Sequence, residues 1–182
     1  AADLFAEFIS AQAAAERIFG LLEEESEIKD KDEVIKKYGT AICPTDEKRP
    51  AIKGNVKFDD VSFWYKEGEP VLSGFSLDVE AGQTIALVGA TGAGKSTIVN
   101  LFCRFYEPKS GRILVDGIDY TDMPESWIHE NLGYVLQSPH LFSGTIAENI
   151  RYGKLDASDE EIIEAAKLVD AHDFIVKMEK GY

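Results

Sequence analysis

The segment that most constrains this chain is IALVGATGAGKSTIVNL, residues 85–101, in which a glycine-rich turn follows an apolar stretch. Residues 89–96 fit the pattern G-x-x-x-x-G-K-[ST]. The apolar residues before the turn predict a buried strand over residues 83–89, and the residues after it predict a helix over 95–105. A strand, a glycine-rich turn and a helix in this order are the setting in which such a loop binds phosphate groups.

The residue types of this loop supply the parts of a phosphate site. Gly89, Gly92 and Gly94 permit backbone angles that turn successive N–H groups toward an anion. The helix that follows brings the positive end of its dipole to the same point. We expect Lys95 to neutralise the β- and γ-phosphates of a nucleotide and Ser96 to ligate Mg²⁺. The loop residues expected to bind nucleotide are Gly89, Ala90, Thr91, Gly92, Ala93, Gly94, Lys95 and Ser96, with Thr97 as a further donor to the α-phosphate.

The charge balance argues against a nucleic-acid partner. Acidic residues outnumber basic ones by 33 to 19, and the formal net charge is −14. A surface of this sign repels a phosphate backbone. The two cysteines, Cys43 and Cys103, have no zinc-ligand spacing, and Cys103 lies among apolar residues, so we expect a buried thiol in a reducing compartment. No apolar run reaches the roughly 18 residues of a membrane span, so we expect none in this segment.

Residues 1–24 predict an amphipathic helix, because apolar side chains recur at helical spacing among charged ones. Two interpretations stay open: a helix packed on its own domain, or the cytoplasmic end of a membrane-domain helix. Residues 25–53 are charged and lack a strong hydrophobic period, which predicts a linker with one short helix at residues 31–38. The apolar positions of the first helix are Leu4, Phe5, Phe8, Ile9, Ile18, Phe19 and Leu22.

After residue 83 strands and helices alternate, which predicts an α/β core. Two helices are expected near the end, one beginning at Ser158 with Glu161 placed for a capping box, the other near Asp170. The expected fold is a P-loop NTPase core with an antiparallel β subdomain and an N-terminal amphipathic helix. Besides residues 83–89, strands are predicted in VKFDDVSFWY (56–65), LSGFSLDVE (72–80), GRILVDG (111–117) and LGYVLQ (132–137).

An ordered series of segments makes the chain resemble the nucleotide-binding domain of ABC transporters, in particular exporters whose membrane and ATPase domains share one polypeptide. The resemblance implies that residues 1–24 are the cytoplasmic end of a membrane-domain helix, 25–53 a linker, and 54–182 the N-terminal part of the ATPase domain. It also implies a location at the cytoplasmic face of a membrane. The segments are AAAERIFGLLE (13–23), FDDVSFWYKEGEPVLSGFSLDVEAGQTIALVGATGAGKST (58–97), SGRILVDGIDY (110–120) and LGYVLQSPHLFSGTIAENI (132–150).

Two residues acquire a role only through this resemblance. Tyr65 matches the aromatic platform on which adenine stacks, an interaction worth about 1–3 kcal/mol, although it also reads as an aromatic of the strand core. Gln137 matches the Q-loop glutamine, which implies contact with Mg²⁺ and the attacking water, while its loop contacts the membrane domain. Ala90 stands where many relatives carry Pro or Ser, and it offers only its backbone.

Residues 1–182 contain no Walker B segment, LSGGQ-type signature or switch histidine of this family. Residues 113–116, ILVD, imitate a Walker B segment, but Gly117 follows where the catalytic carboxylate belongs, so we expect Asp116 in an Asp-Gly turn. A phosphate loop without a general base positions water but does not activate it. We therefore expect a fragment that binds nucleotide at most, lacks complete catalytic residues, and is marginally stable because strands are missing from its sheet.

For the parent protein the resemblance implies an exporter driven by ATP and Mg²⁺. Its partners would be its own transmembrane domain and a second ABC ATPase domain, identical or different. Two alternatives stay open: a non-hydrolysing regulatory half of a heterodimeric transporter, and a soluble ABC ATPase. The acidic surface and the leader AERIFGLLE argue against the soluble class.

Overall fold

The computed structural model describes residues 2–24, 26–40, 42–138 and 140–182, and for residues 2–6 and 8 it describes the backbone alone. The chain divides into two compact units, Ala1–Gly133 and Tyr134–Tyr182. The helices are α1 Ala2–Leu22, α2 Asp32–Tyr38, α3 Lys95–Phe102, α4 Glu125–His129, α5 Ile146–Arg151, α6 Asp159–Leu168 and α7 His172–Ile175. The strands are β1 Val56–Phe63, β2 Leu72–Val79, β3 Ser110–Val115 and β4 Ile118–Asp119, and Tyr120–Asp122 forms a 3₁₀ turn.

The strands of the first unit form one antiparallel sheet in the order β2-β1-β3-β4. The central strand β1 buries Phe58, Val61 and Phe63. The three-residue step from Phe58 to Val61 departs from strict alternation because the register with β2 shifts between them, and Asp60 has φ 53° there. The predicted antiparallel β subdomain is confirmed.

The core of the first unit joins the sheet to three helices. Leu101 of α3 and Trp127 of α4 are almost completely buried, and Tyr38 of α2 packs in the same cluster. The Trp127 indole N–H donates to the Pro50 carbonyl at 2.7 Å, so its one polar atom is satisfied. Cys103 is fully buried as predicted, and burial raises the pKa of its thiol.

Among the described residues of the second unit, the regular elements are the helices α5, α6 and α7. Ser158 and Glu161 form the predicted capping box at the start of α6, and α7 begins at His172, close to the predicted start. A second capping box, from Thr145 and Glu148, begins α5. The sequence analysis missed α5, although the pattern Thr-x-x-Glu that marks its start is present in the chain.

The predicted N-terminal helix is present as α1, but it does not pack on the described domain. Ile18 and Phe19 are 59% and 61% exposed, and Leu22 is 73% exposed. The interpretation of α1 as a helix packed on its own domain is therefore wrong for the side chains that the structure describes. The predicted apolar positions Leu4, Phe5 and Phe8 lie outside those described side chains. Among the described helices, none is both long enough and apolar enough to cross a bilayer.

Two of the predicted strands are not formed in the described part of the chain. Residues 83–89 and 132–137 have no strand structure, and Val88 and Val135 are 92% and 94% exposed. An apolar run becomes a strand only where a neighbouring strand satisfies its N–H and C=O groups and covers its side chains. No described strand pairs with either segment, so the two predictions from apolar composition were wrong.

The exposure difference predicts how two valines affect the stability of residues 1–182. Val61 has no exposed surface, so Val61→Ala should lower the free energy of unfolding by about 1–3 kcal/mol. Val88→Ala is the matched control and should change it by less than about 0.5 kcal/mol, because Val88 is almost fully solvated. Urea denaturation followed by tryptophan fluorescence measures both values. Equal losses would show that residues 83–89 are packed in a core.

Candidate phosphate-binding site

The glycine-rich loop leads directly into α3, as predicted. Gly94 is the N-cap of α3 with φ 83° and ψ 7°, and Gly92 has φ 87°. These left-handed angles are strained for residues with a Cβ atom. Gly89 has no positive φ; a Cβ there would lie 3.3 Å from the Ala93 Cβ, so its glycine serves close approach. The predicted need for unusual angles therefore holds for two of the three glycines.

Gly94 also fixes the head of α3 on the sheet. A Cβ at this position would lie 3.1 Å from Leu72 Cδ2 and 3.3 Å from Val71 Cγ1. Leu72 is the first residue of β2 and is buried. The absence of a side chain therefore lets the backbone of the loop approach the end of β2, and this contact sets where the helix begins.

The Lys95 side chain folds back over the loop. Its Nζ donates to the carbonyl oxygens of Gly89 at 2.7 Å and Ala90 at 2.8 Å. Ser96 is exposed on the first turn of α3, where the backbone N–H groups have no helical acceptors. In the described part of the chain no carboxylate forms an ion pair with Lys95. The loop thus concentrates positive charge beside free donors, the arrangement that favours an anion.

Tyr65 and Thr97 meet at the same end of α3. Their hydroxyl oxygens lie 3.1 Å apart, and Thr97 is only 5% exposed. Tyr65 is 54% exposed, and its ring packs nearly perpendicular to those of Phe63 and Tyr106, with centroid distances of 4.9 and 5.1 Å. The sequence analysis missed Tyr106, because a tyrosine just beyond the end of a helix carries no signal of this contact. The Thr97 hydroxyl, predicted to donate to the α-phosphate, is engaged by Tyr65.

Gln137 lies in the second unit, in an irregular and exposed segment. Its contacts with Mg²⁺ and with the attacking water stay predictions.

Asp116 occupies the expected turn between β3 and β4. It has φ 51° and is followed by Gly117 with φ 82°. Its carboxylate accepts hydrogen bonds from the backbone N–H groups of Lys53 at 2.5 Å, Gly54 at 3.3 Å and Asn55 at 3.0 Å. Desolvation acts to raise the pKa of Asp116, but these bonds and one from the Asn55 side chain outweigh it and lower the pKa below its usual value. Asp116 anchors the entry to β1 and has no catalytic neighbour of Walker B type.

The profile of the ABC transporter family matches residues 72–181, which include the loop and α3. The chain therefore belongs to the ABC transporter family. It is 45% identical over 181 residues to the uncharacterized ABC transporter ATP-binding protein YfiC of Bacillus subtilis, a match that covers 100% of this chain and 28% of that protein.

Other relatives and a solved structure agree with this membership. The chain is 41% identical over 173 residues to the fatty acid ABC transporter ATP-binding/permease protein of Mycobacterium bovis, covering 95% of this chain and 25% of that protein. The structure of a bacterial Atm1-family ABC exporter with ATP bound superimposes with a TM-score of 0.80 at 34% identity. That match covers 98% of this chain and 29% of the exporter chain. The chain thus spans between a quarter and a third of the length of these three proteins.

The bond between Tyr65 and Thr97 can be tested by a double-mutant cycle on residues 1–182. Tyr65→Phe and Thr97→Val each remove one hydroxyl and keep the shape of the side chain, so each should lower the free energy of unfolding by about 0.5–1.5 kcal/mol. Because both changes break the same bond, the double variant should lose about as much as one single variant. Urea denaturation measures the three values, and fully additive losses would contradict the bond.

Proposed function

We propose that the loop of residues 89–97 binds the triphosphate of ATP and that the Tyr65 ring stacks on its adenine. The single observation that carries this proposal is the position of the Lys95 ammonium, within 2.8 Å of two carbonyl oxygens of the loop at the head of α3. Neutral carbonyls hold the charge in place without cancelling it. A phosphate oxygen forms a stronger, charge-assisted bond with the same ammonium and can replace them.

The residues present fit both ATP and Mg²⁺. Left-handed angles at Gly92 and Gly94 orient backbone N–H groups of the loop, and α3 contributes the positive end of its dipole. Ser96 is the residue of the first unit that we propose for Mg²⁺, since a hydroxyl oxygen is a hard ligand of the kind this ion prefers. When bound, Mg²⁺ neutralises negative charge on the phosphates.

Tyr65 is proposed as the platform because the residue is 54% exposed while its ring packs nearly at right angles against two other rings. Phe63 and Tyr106 hold the ring from two sides, and the hydroxyl is engaged with Thr97. A ring held in this way offers a face for stacking at little further loss of conformational entropy. For Thr97 to donate to the α-phosphate as well, its hydroxyl must use its second hydrogen-bonding capacity or exchange partners.

For the whole protein we propose an exporter that couples ATP binding and hydrolysis to transport, with its ATPase domain at the cytoplasmic face of a membrane. Its own transmembrane domain and a second ABC ATPase domain are the proposed partners. Residues 1–182 contain no Walker B pair, signature or switch histidine, so we propose that they bind nucleotide without hydrolysing it. The relatives' names refer to fatty acid transport in one case and multidrug export in another, and we propose no transported substance.

Removing the Lys95 ammonium tests the proposed site. In the full-length protein, Lys95→Ala should abolish measurable Mg-ATP binding, because the β- and γ-phosphates lose their cation. Isothermal titration calorimetry measures the affinity. Lys57→Ala is the matched control: it removes an exposed lysine of β1 outside the loop and should leave the affinity unchanged. An unchanged affinity in Lys95→Ala would reject the site.

The platform is tested separately by two changes at Tyr65. Tyr65→Ala removes the stacking surface and should weaken Mg-ATP binding by about 5- to 150-fold, the equivalent of about 1–3 kcal/mol. Tyr65→Phe keeps the ring and should stay within about threefold of the parent protein. Fluorescence titration with a nucleotide labelled on the ribose compares the two. Equal losses in both variants would assign the role of Tyr65 to its hydroxyl instead of its ring.

A further inference from the structure

The segment between α1 and β1, called here the connector (residues 26–40 and 42–53), is docked on the first unit and is not a free linker. Val34 and Tyr38 of α2 are buried in the core cluster. Further along, Arg49 bonds to Glu130 at 2.9 Å, and the Pro50 carbonyl accepts the Trp127 indole N–H. The charged composition of residues 25–53 predicted a linker. Single residues spaced far apart make most of the connector's contacts, and such contacts leave no hydrophobic period in the sequence.

The N-terminal part of the connector contacts Arg104, which lies just after the end of α3 and has a strained backbone. The helix ends in a Schellman motif, with Arg104 N bonded to Leu101 O and Phe105 N bonded to Asn100 O, both at 3.0 Å. Arg104 has φ 55° at the position where glycine is usual. A left-handed conformation costs a residue with a Cβ about 1–2 kcal/mol. The contacts of the Arg104 side chain are the interactions that can offset this cost.

The Arg104 guanidinium is fully buried and bonds to three residues at 3.0 Å or less. It bonds to Asp30 at 3.0 Å, Glu107 at 2.9 Å and the Met123 carbonyl at 2.9 Å. A buried arginine is strongly destabilising unless carboxylates compensate its charge. Glu107 lies three residues away and is local, whereas Asp30 belongs to the connector. The connector therefore supplies part of the charge that makes this buried cation tolerable.

Asp30 makes a second contact with the same oxygen. Its Oδ1 accepts the backbone N–H of Glu125 at 2.9 Å, the first residue of α4. The N-cap of α4 is Pro124, which has no side-chain acceptor, so Asp30 provides the cap from 95 positions away. One carboxylate thus ties the connector both to the C-terminal end of α3 and to the start of α4.

We propose that docking of the connector through Asp30 and Arg104 is energetically coupled to occupancy of the phosphate loop. The two contacts lie at opposite ends of one helix: α3 begins at the loop, its 8 residues span about 12 Å at 1.5 Å per residue, and Arg104 lies two residues beyond its end. Nucleotide orders the head of α3, and Asp30 orders its tail. By thermodynamic reciprocity, if nucleotide strengthens docking of the connector, then docking of the connector strengthens nucleotide binding by the same factor.

This coupling rests on the proposed nucleotide site, whereas docking of the connector does not and is tested first. The state of the connector is measured by hydrogen exchange at the backbone amides of residues 30–40 in the full-length protein without nucleotide. Asp30→Asn keeps the shape of the side chain and removes its charge, and we expect exchange in this segment to be about tenfold faster. Asp46→Asn is the matched control, since Asp46 is an exposed residue of the connector, and it should change nothing.

The second part compares nucleotide affinity in the same proteins. In the presence of Mg²⁺, the Asp30→Asn variant should bind a non-hydrolysable ATP analogue at least about fivefold more weakly than the unsubstituted protein does, which is the lower end of usual coupling strengths. In the unsubstituted protein, the analogue should slow hydrogen exchange at the backbone amides of residues 30–40. A variant with fast connector exchange and unchanged affinity would overturn the coupling. Loss of binding in Lys95→Ala, measured alongside, shows that the nucleotide site itself is assigned correctly.

Arg104→Gly separates the side chain of Arg104 from its backbone role. Glycine relieves the left-handed strain at this position, so a residue that only caps α3 would be replaced without loss. We expect the opposite: connector exchange as fast as in Asp30→Asn, with a matching loss of affinity. Slow exchange in Arg104→Gly would overturn the proposal.

Discussion

The close contact between Gly94 and the first residue of β2 is the constraint on which the described site depends. A Cβ at Gly94 would lie within 3.3 Å of Leu72 and Val71, and the residue has a left-handed conformation, so both space and backbone angle favour glycine here. That contact sets the starting point and direction of α3. Lys95 and Thr97 then take their positions from the helix, since their separation along it follows from helical geometry.

Helix α3 is consequently a shared element with different chemistry at each end. Its head presents an ammonium, free N–H groups and the Thr97 hydroxyl to solvent and to Tyr65. Ile98 and Leu101, on the same helix, are buried in the core cluster with residues of the sheet. Its tail ends in a strained, buried Arg104 that draws carboxylates from two other segments.

Features that depend on neighbours in the sequence were predictable. The glycine-rich loop, the capping box at Ser158 and the Asp116 turn each arise from hydrogen bonds or backbone angles within a few residues. Features that depend on distant neighbours were not. The apolar runs at residues 83–89 and 132–137 have strand composition, yet no described strand pairs with them.

By itself, the sequence determined the chemistry of the loop, the family and the local elements, because those are written in residue type and short spacing. Only the tertiary structure decided which residues meet at α3. Tyr65 meets Thr97 across 32 positions, and Asp30 reaches Arg104 across 74. Such contacts follow from how the sheet and helices pack. The reason is physical: a hydrogen bond or a buried ion pair is set by distance in space, and the order of residues along the chain does not specify that distance.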